Sequence, residues 1–327
     1  MLVILLLFAR LFVPLQTMKT IFFPDQTLND DTYVATIGFF DGVHQGHQFL
    51  MTQLRKEAAK RGMRSMAITF ESHPRQVVQG GWKPELLTDL HEKLRLLKTT
   101  GIDTVVVLRF NRQMAAFSAR DFMQLMYERM GVRVLLTGYD NRFGHNRAEG
   151  FEDYQCYGRE LGIEVLCGDA LAMGKQNVSS SRVRQLLKEG NVEEANYCLG
   201  RPYSLGGQVV HGEQIGRTIG FPTANLQPDD DKLIPMDGVY AVMVDIDDEI
   251  RKQGIMNIGT RPTFNGTNRT LETNLLEPIG NIYGHRLSIH FIARLRSEQQ
   301  FPSAEALALQ IQKDKEQAEQ ILSNSKY

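Results

Sequence analysis

The chain has 327 residues, enough for two domains with cores of their own, and its 42% hydrophobic and 23% charged content excludes a disordered protein. The 37 basic and 38 acidic residues leave a net charge of −1, so no long-range field recommends a nucleic-acid partner, and any polyphosphate must be held by local geometry. The three cysteines, Cys156, Cys167 and Cys198, are odd in number and lack the paired spacing of a zinc site, a pattern that fits reduced cytosolic thiols.

The amino-terminal run LVILLLFA is apolar, but Arg10 and Pro14 interrupt it well short of the ~20 residues a membrane span needs. It also lacks the basic start and small-residue cleavage site of a secretory signal. Residues 1–17 are therefore expected to be an extension that function does not need, and Met18 opens a sequence that runs straight into the first strand. A cytoplasmic protein without a membrane partner is the expectation.

The first strand, turn and helix read IGFFDGVHQGHQFL, residues 37–50. Val34, Ala35 and Ile37 precede Asp41 as a buried strand. After His47, residues Leu50, Leu54 and Ala58 keep helical spacing, Lys60 and Arg61 crowd the end, and Gly62 stops it. A strand that feeds a glycine-bearing turn into a helix N-terminus is where an α/β protein holds an anion.

Asp41, Gly42, His44, Gly46 and His47 thus form the first candidate site. The histidines are three apart, so both can face one ligand from the first helical turn, and Gly46 lets a phosphate approach the backbone. No Walker A run occurs, which excludes that lysine-cradled γ-phosphate chemistry. The site suits a nucleophile that is already an anionic phosphate and attacks the α-phosphate of ATP. Such a reaction requires no general base, and two imidazoles can donate hydrogen bonds to the charge that builds up in flight. A metal pair or two structural histidines would use the same residue types without that chemistry.

Further along, RSMAITF and DTVVVLRF are short apolar runs. SARDFMQLMYERMG reads as a helix with Ser118 as N-cap, Asp121 in its first turn and Gly131 after its end. VRVLL and IEVL are further buried strands. Such alternation predicts a parallel sheet covered on both faces. In VSSSRVRQLL, Ser179, Ser180 and Ser181 open a helix and Arg184 follows. Hydroxyls, N–H groups and a guanidinium all donate to phosphate, whereas N-capping alone would explain one serine. The hinge is NVEEANYCLGRPYS, where Asn191 and Glu194 cap a helix that Gly200 and Pro202 break.

Beyond about residue 200 the period changes. GVYAVMVDID and RLSIHFIARL alternate, Leu287, Ile289 and Phe291 share one face, and turn residues separate the runs, which predicts an antiparallel barrel. Only the last segment, SAEALALQIQKDKEQAEQIL, is clearly helical. The second candidate site begins in GEQIGRTIGFPTAN, where Gly212, Gly216 and Gly220 precede Thr223 and Asn225. Glycines on a barrel loop permit close approach of phosphates, although such segments are as often plain turns. Thr223 and Asn225 alternate on a strand, and their oxygens are hard ligands suited to magnesium. In TLETNLL, residues Thr270, Glu272 and Asn274 share a face opposite Leu271 and Leu275, which turns a carboxylate away from the apolar side. A neutral hydroxyl nucleophile profits from such a base by ~10² to 10⁴-fold; a solvated strand carboxylate is the plainer alternative.

GFFDGVHQGH resembles the signature of the HxGH nucleotidyltransferases, and in this wording it is similar to the bacterial bifunctional riboflavin kinase/FMN adenylyltransferase (FAD synthetase) family. The blocks TFESHPRQV, TGYDNRFGHNR, VSSSRVRQLL, LGRPYSLGGQVVHGEQIGRTIGFPTANL, GVYAV, NIGTRPTF and RLRSEQQF extend the resemblance in order from about Met18 to the end. It implies an α/β, Rossmann-like FMN adenylyltransferase domain over residues 18–200 and a mainly antiparallel β-barrel riboflavin kinase domain with a C-terminal helix over 201–327. The implied activity is phosphorylation of riboflavin to FMN and adenylylation of FMN to FAD with release of pyrophosphate, both from ATP with Mg2+.

The resemblance also implies residue roles. Gly38, Phe40, Asp41, His44, Gly46 and His47 would meet ATP, with the two histidines catalytic; Ser179, Ser180, Ser181 and Arg184 would form the second nucleotide-binding block. Phe143 and Asp140 would bind flavin, although ordinary core is nearly as good a reading of Phe143. Gly212, Gly216 and Gly220 would bind ATP in the barrel, Thr223 and Asn225 would hold the metal, and Glu272 would be the base. Partners would be ATP, riboflavin and FMN, with client apo-flavoproteins a further option and no nucleic acid. Departures are Tyr139 and Asp140 for a glutamate-asparagine pair, Phe39 for asparagine, Ser72 for proline, Asn274 for histidine or an aromatic residue, and Pro278 for phenylalanine. A kinase that has lost adenylyl transfer, and a non-catalytic flavin-binding regulator, are the alternatives; a binder needs no base.

Overall fold

The computed structural model describes residues 17–28, 31–79, 85–138, 141–173, 176–211, 221–229, 231–263, 266–277 and 279–326. Residues 1–16, Tyr139, Asp140, Gly212, Gly216, Gly220 and Pro278, named above, lie outside the described residues.

The first of two compact units is a six-stranded sheet of β1 (Lys19–Phe23), β2 (Tyr33–Ile37), β3 (Arg64–Phe70), β4 (Thr104–Leu108), β5 (Val132–Thr137) and β6 (Glu164–Cys167). The strand order is β1-β4-β3-β2-β5-β6, and every neighbouring pair is parallel. Between the strands run α1 (Gln45–Arg61), α2 (Pro74–Val78), α3 (Leu90–Thr99), α4 (Arg112–Ala115), α5 (Ala119–Met130) and α6 (Phe151–Leu161). The alternation of β2 sorts its side chains between two cores. Tyr33, Ala35 and Ile37 pack with Phe122, Met123 and Met126 of α5, while Val34 packs with Leu50, Met51 and Leu54 of α1. From β2 the chain builds β3 and β4 on one side and then β5 and β6 on the other. The order therefore reverses between β2 and β5, and a crevice at their carboxy ends follows.

Helix ends follow the capping residues. Ser118 and Asp121 form a reciprocal box at the start of α5, and Gly131 ends it at φ 68°. Gly62 ends α1 at φ 64°, with its N–H on the carbonyls of Ala58 and Ala59.

The second unit is a closed antiparallel barrel in the order β10-β13-β12-β11-β14-β9. Its strands are β9 (Tyr203–Val210), β10 (Ala224–Pro228), β11 (Gly238–Ile246), β12 (Ile250–Thr263), β13 (Gly266–Leu275) and β14 (Arg286–Arg296), and β9 pairs with β10 to close it. Leu287, Ile289 and Phe291 are fully buried inside, as their spacing implied. Ahead of the barrel lie a short hairpin, β7 (Ala172–Met173) and β8 (Gln176–Asn177), then α7 (Ser180–Lys188) and α8 (Val192–Leu199); the final helix is α9 (Ala304–Ser323).

Packing divides the chain earlier than the expected boundary at residue 200. The second unit takes in α7 and α8, together with the segment that holds Leu86 and Leu87. The cause is a shared core, because Val183, Leu186, Leu187, Val192 and Leu199 bury against Tyr203, Leu205 and Phe291. Asn196 fixes the joint, donating to the Phe291 carbonyl at 2.8 Å and accepting from the Tyr203 N–H at 2.7 Å. Gly200 and Pro202 end a helix there, but the chain continues within one unit.

Candidate active sites

In the first unit β2 runs into Gly38, a short turn of 3-10 helix at Asp41–Val43, and α1. The turn is strained, with Phe40 at φ 53°, Gly42 at φ 78° and Val43 at φ 39°. A β-branched residue with positive φ is a genuine outlier, and such backbone gathers where chemistry is done. Gly38 is required locally, since a Cβ there would lie 2.8 Å from the Phe40 ring.

His44 is the N-cap of α1, and its Nδ1 accepts the His47 N–H at 3.3 Å. A neutral His44 therefore carries its proton on Nε2. The two imidazoles stack at 3.6 Å between centroids, and Phe40 meets His47 edge-on at 5.3 Å. Burial first, and then the neighbouring His44 and Lys93, hold the His47 imidazole well below its ordinary range. Its buried Nδ1 has no hydrogen-bond partner among the described residues. The site thus presents two stacked imidazoles, that of His47 held neutral, beside helix N–H groups that can donate to an anion.

Next to this turn lies a cavity of about 260 Å³. Phe39, Phe70, Phe110, Phe117, Phe122 and Phe143 line it, with Arg75, Arg142 and Arg147 also among its lining residues. Phe143 is both wall and core, since it stacks on Tyr154 at 4.3 Å and is 9% exposed. Sequence reasoning missed this enclosure because its phenylalanines come from segments far apart in the chain.

Ser179, Ser180, Ser181 and Arg184 lie on the second unit, at the start of α7. Ser179 caps the helix, accepting the Arg182 N–H at 3.2 Å, and Arg184 Nε donates to the Glu85 carbonyl at 2.8 Å.

In the barrel, Asn225 of β10 pairs with Glu272 of β13, and Thr223 Oγ1 stands 3.5 Å from Glu272 Oε2. Ala224 and Leu226 turn into the core, as the alternation required. Asn257, which sequence reasoning did not single out, pairs with Glu272 from β12 and lines the same cavity of about 250 Å³. Phe301 and the α9 residues Leu307 and Ile311 complete its apolar wall. A second cavity of about 600 Å³ also includes Thr223, so this residue stands between the two. Asn274 is 5% exposed and donates to the Pro222 carbonyl at 2.7 Å, which ties the strand of Glu272 to the residue before Thr223. Among the described residues no cluster of three or more His, Cys, Asp or Glu side chains could hold a metal. The hydroxyl, amide and carboxylate oxygens here fit a magnesium ion that keeps waters and bridges phosphates.

The two units define a two-site transferase. A family profile described as FAD synthetase matches residues 26–182, and one described as riboflavin kinase matches residues 199–322. A bifunctional riboflavin kinase/FMN adenylyltransferase of Escherichia coli is 39% identical over 294 residues, 90% of this chain and 94% of that protein. The Bacillus subtilis protein of the same description is 33% identical over 300 residues, 89% and 93% of the two chains. A crystal structure described as a macrolide-efflux protein from Streptococcus pneumoniae superposes with a TM-score of 0.83 at 31% identity, covering 91% of this chain and 98% of that one. Among the described residues no helix is long and apolar enough to cross a membrane. The chain belongs to the bifunctional riboflavin kinase/FMN adenylyltransferase family.

Proposed function

We propose that the barrel phosphorylates riboflavin to FMN and that the parallel-sheet unit adenylylates FMN to FAD. The observation that carries the reading is the pairing of two different chemistries in one chain. A carboxylate, Glu272, faces Asn225 and Thr223 in the barrel, and a stacked imidazole pair lies at the start of a helix in the sheet unit.

In the barrel, Glu272 takes the proton of the riboflavin primary hydroxyl as that oxygen attacks the γ-phosphate of ATP, leaving ADP. The cavity walled by Phe301 and Ile311 suits the planar flavin. The larger one suits the nucleotide, so the two substrates meet at Thr223. Thr223 and Asn225 would hold the magnesium of ATP, which neutralises phosphate charge when bound. Gly212, Gly216 and Gly220 belong to the same reading as the loop that approaches the nucleotide.

In the sheet unit, the FMN phosphate attacks the α-phosphate of ATP and pyrophosphate leaves. His44 Nε2–H and the His47 ring donate to the phosphate oxygens, with Gly38, Phe40 and Asp41 shaping the turn, Gly46 letting a phosphate approach the backbone, and the α1 N–H groups adding donors. The aromatic cavity with Phe143, together with Asp140, takes the isoalloxazine. Ser179, Ser180, Ser181 and Arg184, at the start of α7, belong to the same reading as a second nucleotide-binding block. The reading places the work in the cytoplasm, where apo-flavoproteins fold and take up the product.

Incubation with riboflavin, ATP and magnesium, followed by separation of the flavins, tests it. FMN should appear first and FAD after it; unchanged riboflavin would reject the proposal.

A further inference from the structure

We propose that Lys93 is a positioning residue of the adenylyl site, fastening the turn that carries His44 and His47 to the carboxy ends of β2 and β3. The inference rests on the adenylyltransferase reading above.

Lys93 sits on α3 and is 2% exposed. Its Nζ donates to the Phe70 carbonyl at 2.9 Å, at the last residue of β3, and to the Phe39 carbonyl at 3.3 Å, two residues past β2. The same ammonium lies 4.1 Å above the centre of the Phe39 ring, and Thr69 Oγ1 donates to the same Phe39 carbonyl at 3.1 Å. One buried cation thus grips the ends of two adjacent parallel strands, β2 and β3.

A charge in such a place is costly. Taking an ammonium out of water is unfavourable by several kcal/mol unless hydrogen bonds replace its hydration. Leu90, Leu94 and Leu97 lie on the same packed side of α3, and a further apolar residue would have completed that stripe without the cost. What the lysine adds over a leucine is directional. It fixes the Phe39 carbonyl immediately before the two strained residues Phe40 and Val43, and strained backbone persists only where its surroundings over-determine it. Burial and the neighbouring His44 do most to keep the His47 ring neutral, and the Lys93 charge adds to them by disfavouring a second cation there. A stacked pair set at one height above the helix start is the geometry that donation to a moving phosphoryl charge requires.

Lys93→Met removes the charge and the donors while keeping the length, and Lys93→Ala leaves room for a small amine. With saturating ATP and FMN, Lys93→Met should form FAD about tenfold more slowly or worse, with KM for FMN changed by less than about threefold. FMN formation from riboflavin in the same sample should be unchanged, and n-propylammonium should restore part of the Lys93→Ala rate. A Lys93→Met protein with the wild-type kcat would overturn the inference. So would loss of amide-exchange protection across β2 and β3 in both variants, which would make the lysine merely structural. A wild-type chain that makes FMN but no FAD would instead sink the adenylyltransferase reading, and this inference with it.

Discussion

The imidazoles of His44 and His47 lie face to face, 3.6 Å between centroids and 20° from parallel. A proton on one ring therefore repels a proton on the other, and burial adds to the effect for His47. The consequence is a pH dependence of stability. The folded His47 pKa lies well below its ordinary value of 6.5, so the unfolded chain binds a proton that the folded one refuses. Above pH 6.5 this group costs the fold nothing. Below it, stability falls as the pH is lowered toward the folded pKa, by up to about 1.4 kcal/mol per unit. Urea unfolding of the first unit between pH 5 and 7 should show that slope, and His47→Asn should flatten it.

Asn274 holds the Pro222 carbonyl and so sets Thr223 against Glu272. Asn274→Ala should cost about 1 kcal/mol of barrel stability and lower the rate of riboflavin phosphorylation. Asn274→His keeps an N–H in reach and should retain most of that rate. Thermal unfolding and FMN formation measure the two effects.

Arg296 of β14 meets the carboxylate of Asp314 on α9 through Nε and an amino nitrogen at 2.8 to 3.0 Å, and Asp314 is 2% exposed. Asp314→Ala would leave the guanidinium without its partner and should destabilise the barrel by about 3 kcal/mol. Because α9 supplies Leu307 and Ile311 to the smaller cavity, KM for riboflavin should rise as well. Denaturant titration with steady-state kinetics checks both.

Barrel closure depends on Gly207, where a Cβ would sit 2.2 Å from the Gln227 carbonyl oxygen across the β9–β10 pair. Gly207→Ala should cost about 1 to 3 kcal/mol, read as a lower unfolding midpoint of the second unit.

Local order was legible in the chain wherever one segment carries its own instructions. Ser118 with Asp121, Asn191 with Glu194, and the glycines at 62, 131 and 200 mark helix ends by cap chemistry that needs no partner. The alternation in Thr223 to Leu226 and around Glu272 gave the facing of the barrel site in the same way. What depends on distant packing was not legible. The burial of α7 and α8 against barrel strands is one such case, since a helix-breaking Gly200 does not announce it. The aromatic cavity draws on phenylalanines from Phe39 to Phe143, of which the sequence singles out only Phe143, and that through the family resemblance. Lys93 left one faint trace, a lysine on the apolar side of α3 between Leu90 and Leu97.

The central claim is that one chain houses two independent attacks on ATP, and paired variants test it most directly. His47→Ala and Glu272→Gln are each supplied with riboflavin or FMN, ATP and magnesium, and the flavins are separated over time. His47→Ala should accumulate FMN without FAD, while Glu272→Gln should leave riboflavin unphosphorylated yet convert supplied FMN to FAD. Loss of both reactions in either folded variant would contradict the account.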